Sequence, residues 1–340
     1  MEDHLLFLIG SPRSGSTLLA RMLGAHSRIV GAPELHLLTP LAHLGYFDRV
    51  EEAPYDPVIS QEGVRELVAR LPNGESSYVS ACRAYADALY RGLLKPDDDR
   101  SLLLDKTPAY ALVLPFIARL YPGARYVVLT RNPLAILSSQ ANSFFDGSYD
   151  EAIRISPILE RYVPAIARFL RERPVALVHV QYEELVQNPT VELEKIFQAL
   201  DLDFEPGCVE YGEDAEAAAR ATSSHRGLGD PSVTRHGRPV TDSIEKWATE
   251  IAGDVEKRER VLEVLERLDR HDLETWGYPP EQILQTLERA RPQKTARRPA
   301  LTRSRLERKL LVRTRQTVRR SPLLTRLLER LRLYCELLLR

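Results

Sequence analysis

Residues 5–23, Leu-Leu-Phe-Leu-Ile-Gly-Ser-Pro-Arg-Ser-Gly-Ser-Thr-Leu-Leu-Ala-Arg-Met-Leu, constrain this chain more than any other stretch. Leu5 to Ile9 is a short apolar run of the kind that forms a fully buried strand, and Leu18, Leu19, Met22 and Leu23 recur at helical spacing. Between them, Gly10-Ser-Pro-Arg-Ser-Gly-Ser-Thr17 is a strand-to-helix turn. Its backbone N–H groups and the helix N-terminus that follows suit an oxyanion. Gly10 and Gly15 have the spacing of the triphosphate loop G-x-x-x-x-G-K-S/T, but Ser16 stands in the Lys position and Arg13 supplies a cation inside the loop. The loop is built for an anion, and not for an ordinary triphosphate.

A second apolar run, Arg125 to Thr130, leads into Arg131-Asn-Pro133 and a helix that carries Ser139. Further strands are expected at Ser101 to Leu104 and Val175 to Gln181, giving four in all. Helical patterns lie between the strands, including Tyr110 to Tyr121 and a long amphipathic stretch from Tyr149 to Arg171. Short strand–helix–strand spacings imply an α/β fold with a parallel central sheet flanked by helices. Helical patterns over Leu35 to Gly45, Gln61 to Leu71 and Tyr78 to Leu94 form an insertion of residues 35–95, expected between the first and second strands.

Composition fits a soluble enzyme: 340 residues with 44% hydrophobic content can bury one large core. Three scattered cysteines, Cys82, Cys208 and Cys335, predict neither a disulfide framework nor a zinc site. The first strand begins within a few residues of Met1, and no apolar run approaches a membrane span. A cytoplasmic protein is expected. Charge is uneven. Residues 291–340 hold 16 Lys and Arg against three Glu, so the overall charge of −1 conceals an acidic body and a basic tail.

The first loop resembles the 5′-phosphosulfate loop of sulfotransferases that use 3′-phosphoadenosine-5′-phosphosulfate (PAPS). That loop reads Pro, Arg or Lys, Ser or Thr, Gly, then two Ser or Thr, and Pro12 to Thr17 matches every position. The resemblance covers patches of residues 4–248 and implies the P-loop-like sulfotransferase fold, to which the pattern of the tail adds a helical C-terminal extension. It also implies PAPS as co-substrate, transfer to a hydroxyl acceptor, and no metal. Arg13, Ser14, Gly15, Ser16 and Thr17 would surround the 5′-phosphosulfate, and Arg131 and Ser139 would grip the ribose 3′-phosphate. Tyr182, in a Y-E-x-L-x-x-x-P-like element, would lie beside the nucleotide. Ser232, Arg235 and Arg238, in a Gly/Pro/Arg-rich stretch, would close over it.

Residues 22–34 are similar to tyrosylprotein sulfotransferases, and Glu34, 21 residues beyond Arg13, would be the base for the acceptor proton once burial raises its pKa. His36 is the alternative base, and His26 is assigned to the helix end. Lys106 follows a strand at its carboxyl end and lies 25 residues before Arg131. It would neutralise charge on the transferring group, with Asp105 orienting it. The Lys expected of many small-molecule sulfotransferases is replaced by Arg13, and the acceptor is not named: small-molecule, carrier-bound and peptidyl hydroxyls all remain open.

Two other classes fit the sequence less well. A P-loop small-molecule kinase lacks its Lys at Ser16 and an acidic Mg²⁺ ligand after Leu129-Thr130, and a non-catalytic scaffold would act through the tail alone. The organisation expected is a catalytic domain of residues 1–290 and a basic tail of 291–340. In that tail Leu323, Leu324, Leu327, Leu328, Leu331 and Leu338 share one helical face after Ser321-Pro322. Such a tail suits an acidic partner, an anionic membrane surface bound peripherally, or the acidic body itself. Without interleaved aromatic residues it does not suit nucleic acid. Oligomeric state is not specified by the sequence.

Overall fold

A computed structural model describes residues 1–32, 34–35, 37–43, 57–94, 102–211, 237–241 and 244–291. His36, Ser232, Arg235 and the basic tail from residue 292 onward lie outside the described residues.

Five strands form one sheet: β1 (Leu5–Gly10), β2 (Ile29–Gly31), β3 (Leu102–Asp105), β4 (Arg125–Thr130) and β5 (Leu177–Gln181). Their order is β2-β3-β1-β4-β5 and every pairing is parallel. β1 is buried at all six positions, as a central parallel strand covered on both faces must be. Its residues alternate between two cores. Leu5, Phe7 and Ile9 join Leu103, Tyr126 and Val128 on one face, while Leu6 and Leu8 join Leu102, Leu104, Val127 and Leu129 on the other.

Helix α1 (Ser16–Gly24) follows β1, then come α2 (Leu38–Ala42), α3 (Pro57–Arg70) and α4 (Glu75–Arg91). After β3, a 3-10 turn (Pro108–Leu112) leads to α5 (Leu114–Leu120). After β4 come α6 (Pro133–Phe144), α7 (Tyr149–Ile155) and α8 (Ile158–Glu172). After β5 come α9 (Tyr182–Gln187) and α10 (Pro189–Ala199), and later α11 (Lys246–Ala252), α12 (Val255–Arg267), α13 (Arg270–Thr275) and α14 (Pro280–Arg289). The smaller face of the sheet takes α1, α9 and α10. The larger face takes α4–α8 together with Trp247, Ile251, Val264, Leu273 and Ile283 from the four last helices, and Trp276 just after α13.

The structure differs from the sequence reading at several elements. Ile29-Val30-Gly31 is a strand, so the helical insertion falls between the second and third strands. Three residues ending in Gly carry no periodic signal, and the strand exists because β3 pairs with it. The amphipathic stretch 149–171 divides at Ser156-Pro157, because the residue before proline avoids helical backbone. Tyr110 to Tyr121 divides at Val113, where Pro115 opens a new helix at its second position. Cys82 and Cys208 are buried free thiols, and among the described residues no helix is long and apolar enough to cross a membrane.

Candidate functional site

Because all five strands are parallel, their carboxyl ends lie along one edge of the sheet, and each end is followed closely by a polar group. Glu34 follows β2, Lys106 follows β3, the Ser11–Gly15 loop follows β1, Arg131 follows β4 and Tyr182 follows β5. The chain runs from β1 to one side of the sheet and then crosses to the other at β4. Open α/β sheets bind ligands at such a reversal of strand order.

The loop is tight. Ser14 N–H donates to the Ser11 carbonyl at 3.2 Å, and Arg13 (φ +68°) and Gly15 (φ +94°) are left-handed. A Cβ on Gly15 would fall 2.3 and 2.5 Å from two ring carbons of Tyr182, so only glycine lets that ring lie on the loop. Gly15 caps α1 without a side chain, so the first N–H groups of this nine-residue helix point toward the loop. Ser11 Oγ and Ser14 Oγ are buried with no hydrogen-bond partner. Buried hydroxyls are ordinarily satisfied, and two orphans beside a helix N-terminus fit an anion such as the phosphosulfate.

Arg131 is buried, yet its Nη1 donates to the Arg13 carbonyl at 3.1 Å and its guanidinium lies 4.2 Å from the Tyr182 ring centroid. Arg13 in turn donates from Nε to Ser139 Oγ at 3.0 Å, with its guanidinium 5.8 Å from the Phe144 ring centroid. Arg13 thus bridges the expected pair Arg131 and Ser139, and these three residues meet Tyr182 in one place. Asn132 caps α6 by accepting from the N–H groups of Leu134 and Ala135, which fixes where Arg131 leaves the strand.

The sequence reading gave no role to the support of this cluster. Glu183 accepts from the Asn132 N–H at 3.2 Å and from the Tyr278 hydroxyl. Burial pushes its carboxyl up, opposed by that hydroxyl and by the charge of Arg131. Residues 276–278 close the outer end of the sheet. The Trp276 carbonyl accepts from Thr130 Oγ1 at 3.0 Å, and the Gly277 carbonyl accepts from Gln181 Nε2 at 3.3 Å. Glu183 could have been flagged as the carboxylate next to Tyr182. Nothing in the sequence signals the docking of 276–278, about 95 residues further on.

Lys106 is buried and forms an ion pair with Glu34 Oε1. The Glu34 side chain remains 41% exposed, so the burial expected to adjust it is not found. Asp105, next to Lys106, has no exposed surface, and burial raises its carboxyl from 3.8 to about 6 against hydrogen bonds from Tyr90, Tyr110 and Thr107 and the charge of Lys106. Ser16 is buried and Thr17 half-buried in the first turn of α1. Arg238 is exposed and pairs with Glu210 at 3.6 Å. His26 is a structural residue: Nδ1 accepts from the Arg28 N–H at 2.9 Å and Nε2 donates to the Asp203 carbonyl at 3.0 Å.

A parallel α/β sheet with a glycine-framed anion loop at its central strand end defines a phosphate-loop class of protein. Within it, this chain belongs to the sulfotransferase family, whose sequence profile matches residues 6–206. It is 29% identical over 282 residues to the nodulation protein NoeE of Sinorhizobium fredii, an alignment spanning 77% of this chain and 63% of that protein. It is 23% identical over 267 residues to protein-tyrosine sulfotransferase 1 of Danio rerio, covering 76% and 69% of the two chains. Among solved structures it is similar to the sulfotransferase domain of a Synechococcus olefin synthase, with TM-score 0.50, 24% identity, and 78% and 95% coverage. That likeness concerns the fold.

Proposed function

We propose that this protein is a PAPS-dependent sulfotransferase acting on a hydroxyl acceptor, with adenosine 3′,5′-bisphosphate as the second product. The observation that carries the reading is the contact chain Arg131–Arg13–Ser139 beside a loop whose Ser11 and Ser14 hydroxyls are buried without partners. In this reading the loop N–H groups and the Ser14, Ser16 and Thr17 side chains hold the 5′-phosphosulfate. Arg131 and Ser139 take the ribose 3′-phosphate, and Arg13 spans the two anions. Tyr182 packs beside the nucleotide, and Arg238 belongs to the segment that covers it.

Sulfuryl transfer resembles phosphoryl transfer in asking mainly for positioning and charge stabilisation. The acceptor oxygen attacks sulfur as the bond from sulfur to the 5′-phosphate oxygen breaks. The electron pair of that bond leaves with the phosphate, and the acceptor proton passes to Glu34. Lys106, already against Glu34, offers its ammonium to the transferring group or the departing oxygen. The names of several relatives, protein-tyrosine sulfotransferases among them, support a hydroxyl on a phenol ring as the first acceptor to try.

The test is incubation of the protein with PAPS and a panel of peptidyl-tyrosine, carbohydrate and carrier-bound alcohols, read by mass spectrometry. Gain of SO₃ on an acceptor with stoichiometric adenosine 3′,5′-bisphosphate is expected. Consumption of ATP with phosphate transfer, and none of PAPS, would overturn the reading.

A further inference from the structure

One buried carboxylate fixes both halves of the Glu34–Lys106 pair. Asp105 Oδ2 accepts from the Tyr90 hydroxyl at 2.7 Å and from the Tyr110 hydroxyl at 2.9 Å, and Oδ1 accepts from Thr107 Oγ1 at 3.3 Å. Asp105, Tyr90, Tyr110 and Thr107 all have no exposed surface. Tyr110 gives its one proton to Asp105, which leaves its oxygen lone pairs for other donors. They receive the N–H groups of Leu37 and Leu38 at 3.1 and 3.2 Å. These N–H groups open α2, which has no side-chain cap of its own, and would otherwise be orphaned.

The consequence is geometric. Lys106 is covalently next to Asp105, and Leu37 lies three residues beyond Glu34. The Asp105–Tyr110 hydrogen bond therefore ties the strand end that carries Lys106 to the segment that carries Glu34, two positions 72 residues apart. We infer that Asp105 and Tyr110 are positioning residues for proton removal from the acceptor, setting where the Glu34 carboxylate stands relative to Lys106. This rests on the transfer reading above and deepens it. Neither residue touches the reacting atoms. Tyr110 works through the α2 backbone, and Asp105 fixes the orientation of the Tyr110 hydroxyl.

Tyr90 supplies a matched comparison. Its hydroxyl donates to the same Asp105 oxygen, but it stands on α4 and its bond reaches no part of α2. Tyr90→Phe and Tyr110→Phe each remove one buried hydroxyl donor from the same carboxylate oxygen, but Tyr110→Phe also leaves the Leu37 and Leu38 N–H groups without their acceptor and should be the more destabilising of the two. A misplacement of reacting groups by about 1 Å can cost about 100-fold in rate.

The full-length chain and its Tyr110→Phe, Tyr90→Phe, Glu34→Gln and Glu34→Gln/Tyr110→Phe variants would be assayed for PAPS consumption with water and with 4-methoxyphenol as acceptors. Adenosine 3′,5′-bisphosphate affinity, melting temperature and amide exchange at Leu37 and Leu38 would be measured alongside. Tyr110→Phe should lose about 10-fold or more in kcat and its Leu37/Leu38 exchange protection, with the lower melting temperature of the two, while Tyr90→Phe stays within about 2-fold in kcat. Bisphosphate affinity should hold in both, and Tyr110→Phe should cost nothing further once Glu34 is Gln. Equal activity losses in the two Phe variants, or an additive loss in the double variant, would overturn the positioning role while leaving the transfer reading intact. A Glu34→Gln variant as active as the wild type would overturn the proton-acceptor assignment itself, and the positioning role with it.

Discussion

Arg131 donates a hydrogen bond of 3.1 Å to the backbone carbonyl of Arg13, 118 positions earlier in the chain. A buried guanidinium is thereby spent partly on holding the anion loop of a neighbouring strand in its left-handed turn, while its face rests on Tyr182. The two sequence motifs are one structural unit, and damage to either should be felt at both.

Gly15→Ala tests the loop from the other side. The new methyl would meet the Tyr182 ring at under 3 Å, and alanine at φ +94° costs about 1–2 kcal/mol in addition. Melting should fall by roughly 5 °C, and affinity for adenosine 3′,5′-bisphosphate should drop with it. Adding Tyr182→Ala should recover part of the melting temperature. An unchanged melting curve for Gly15→Ala would contradict the close approach.

Glu34→Gln keeps the shape of the proposed base and removes its ability to take a proton. Loss of a general base typically costs about 10²–10⁴ in rate, so kcat should fall in that range while calorimetric affinity for adenosine 3′,5′-bisphosphate stays within about 2-fold. A parallel loss of nucleotide affinity would place Glu34 at the donor and not at the acceptor.

Asp105 makes stability depend on pH in a stated direction. Its carboxyl sits at about 6 in the folded protein against 3.8 as its ordinary value, because burial outweighs its three hydroxyl donors and the Lys106 charge. The folded state then binds the proton more readily than the unfolded chain. The contribution is fully present below about 4 and is lost as pH rises through about 6. Its size is at most about 3 kcal/mol. The stability of the wild type minus that of Asp105→Asn, measured by urea unfolding, should increase as pH falls from 7 to 4.5. A difference that does not vary over that range would contradict this account of Asp105.

What the sequence made legible is what local pattern encodes. β4 and the anion loop could be read because apolar runs end abruptly at Gly and Arg, whereas Arg131 and Ser139 are singled out by the resemblance to sulfotransferases, with which helical spacing agrees. The short strand β2 is stable only through its pairing with β3, so no local pattern marks it. The direction of the Arg13 side chain, toward Ser139, depends on the packing of α6 against the loop. Tyr110 reads as an apolar helix residue, whereas its hydroxyl links β3 to α2, and the brace formed by residues 276–278 joins segments far apart in the chain. The expectation that Glu34 is buried failed because its pairing with Lys106 occurs at the edge of the sheet, where one carboxylate face stays open to water.

Calorimetric titration of adenosine 3′,5′-bisphosphate decides whether the strand-end cluster is the proposed PAPS donor site. The wild type should bind this ligand, and should bind adenosine 5′-phosphate and ATP far more weakly, because Arg131 and Ser139 are proposed to take the 3′-phosphate. Arg131→Ala should weaken bisphosphate binding by about 10–100-fold, the range for losing a charge-assisted contact, and should nearly erase its preference over adenosine 5′-phosphate. Bisphosphate affinity that is unchanged in Arg131→Ala, or a wild type that prefers ATP, would contradict the account.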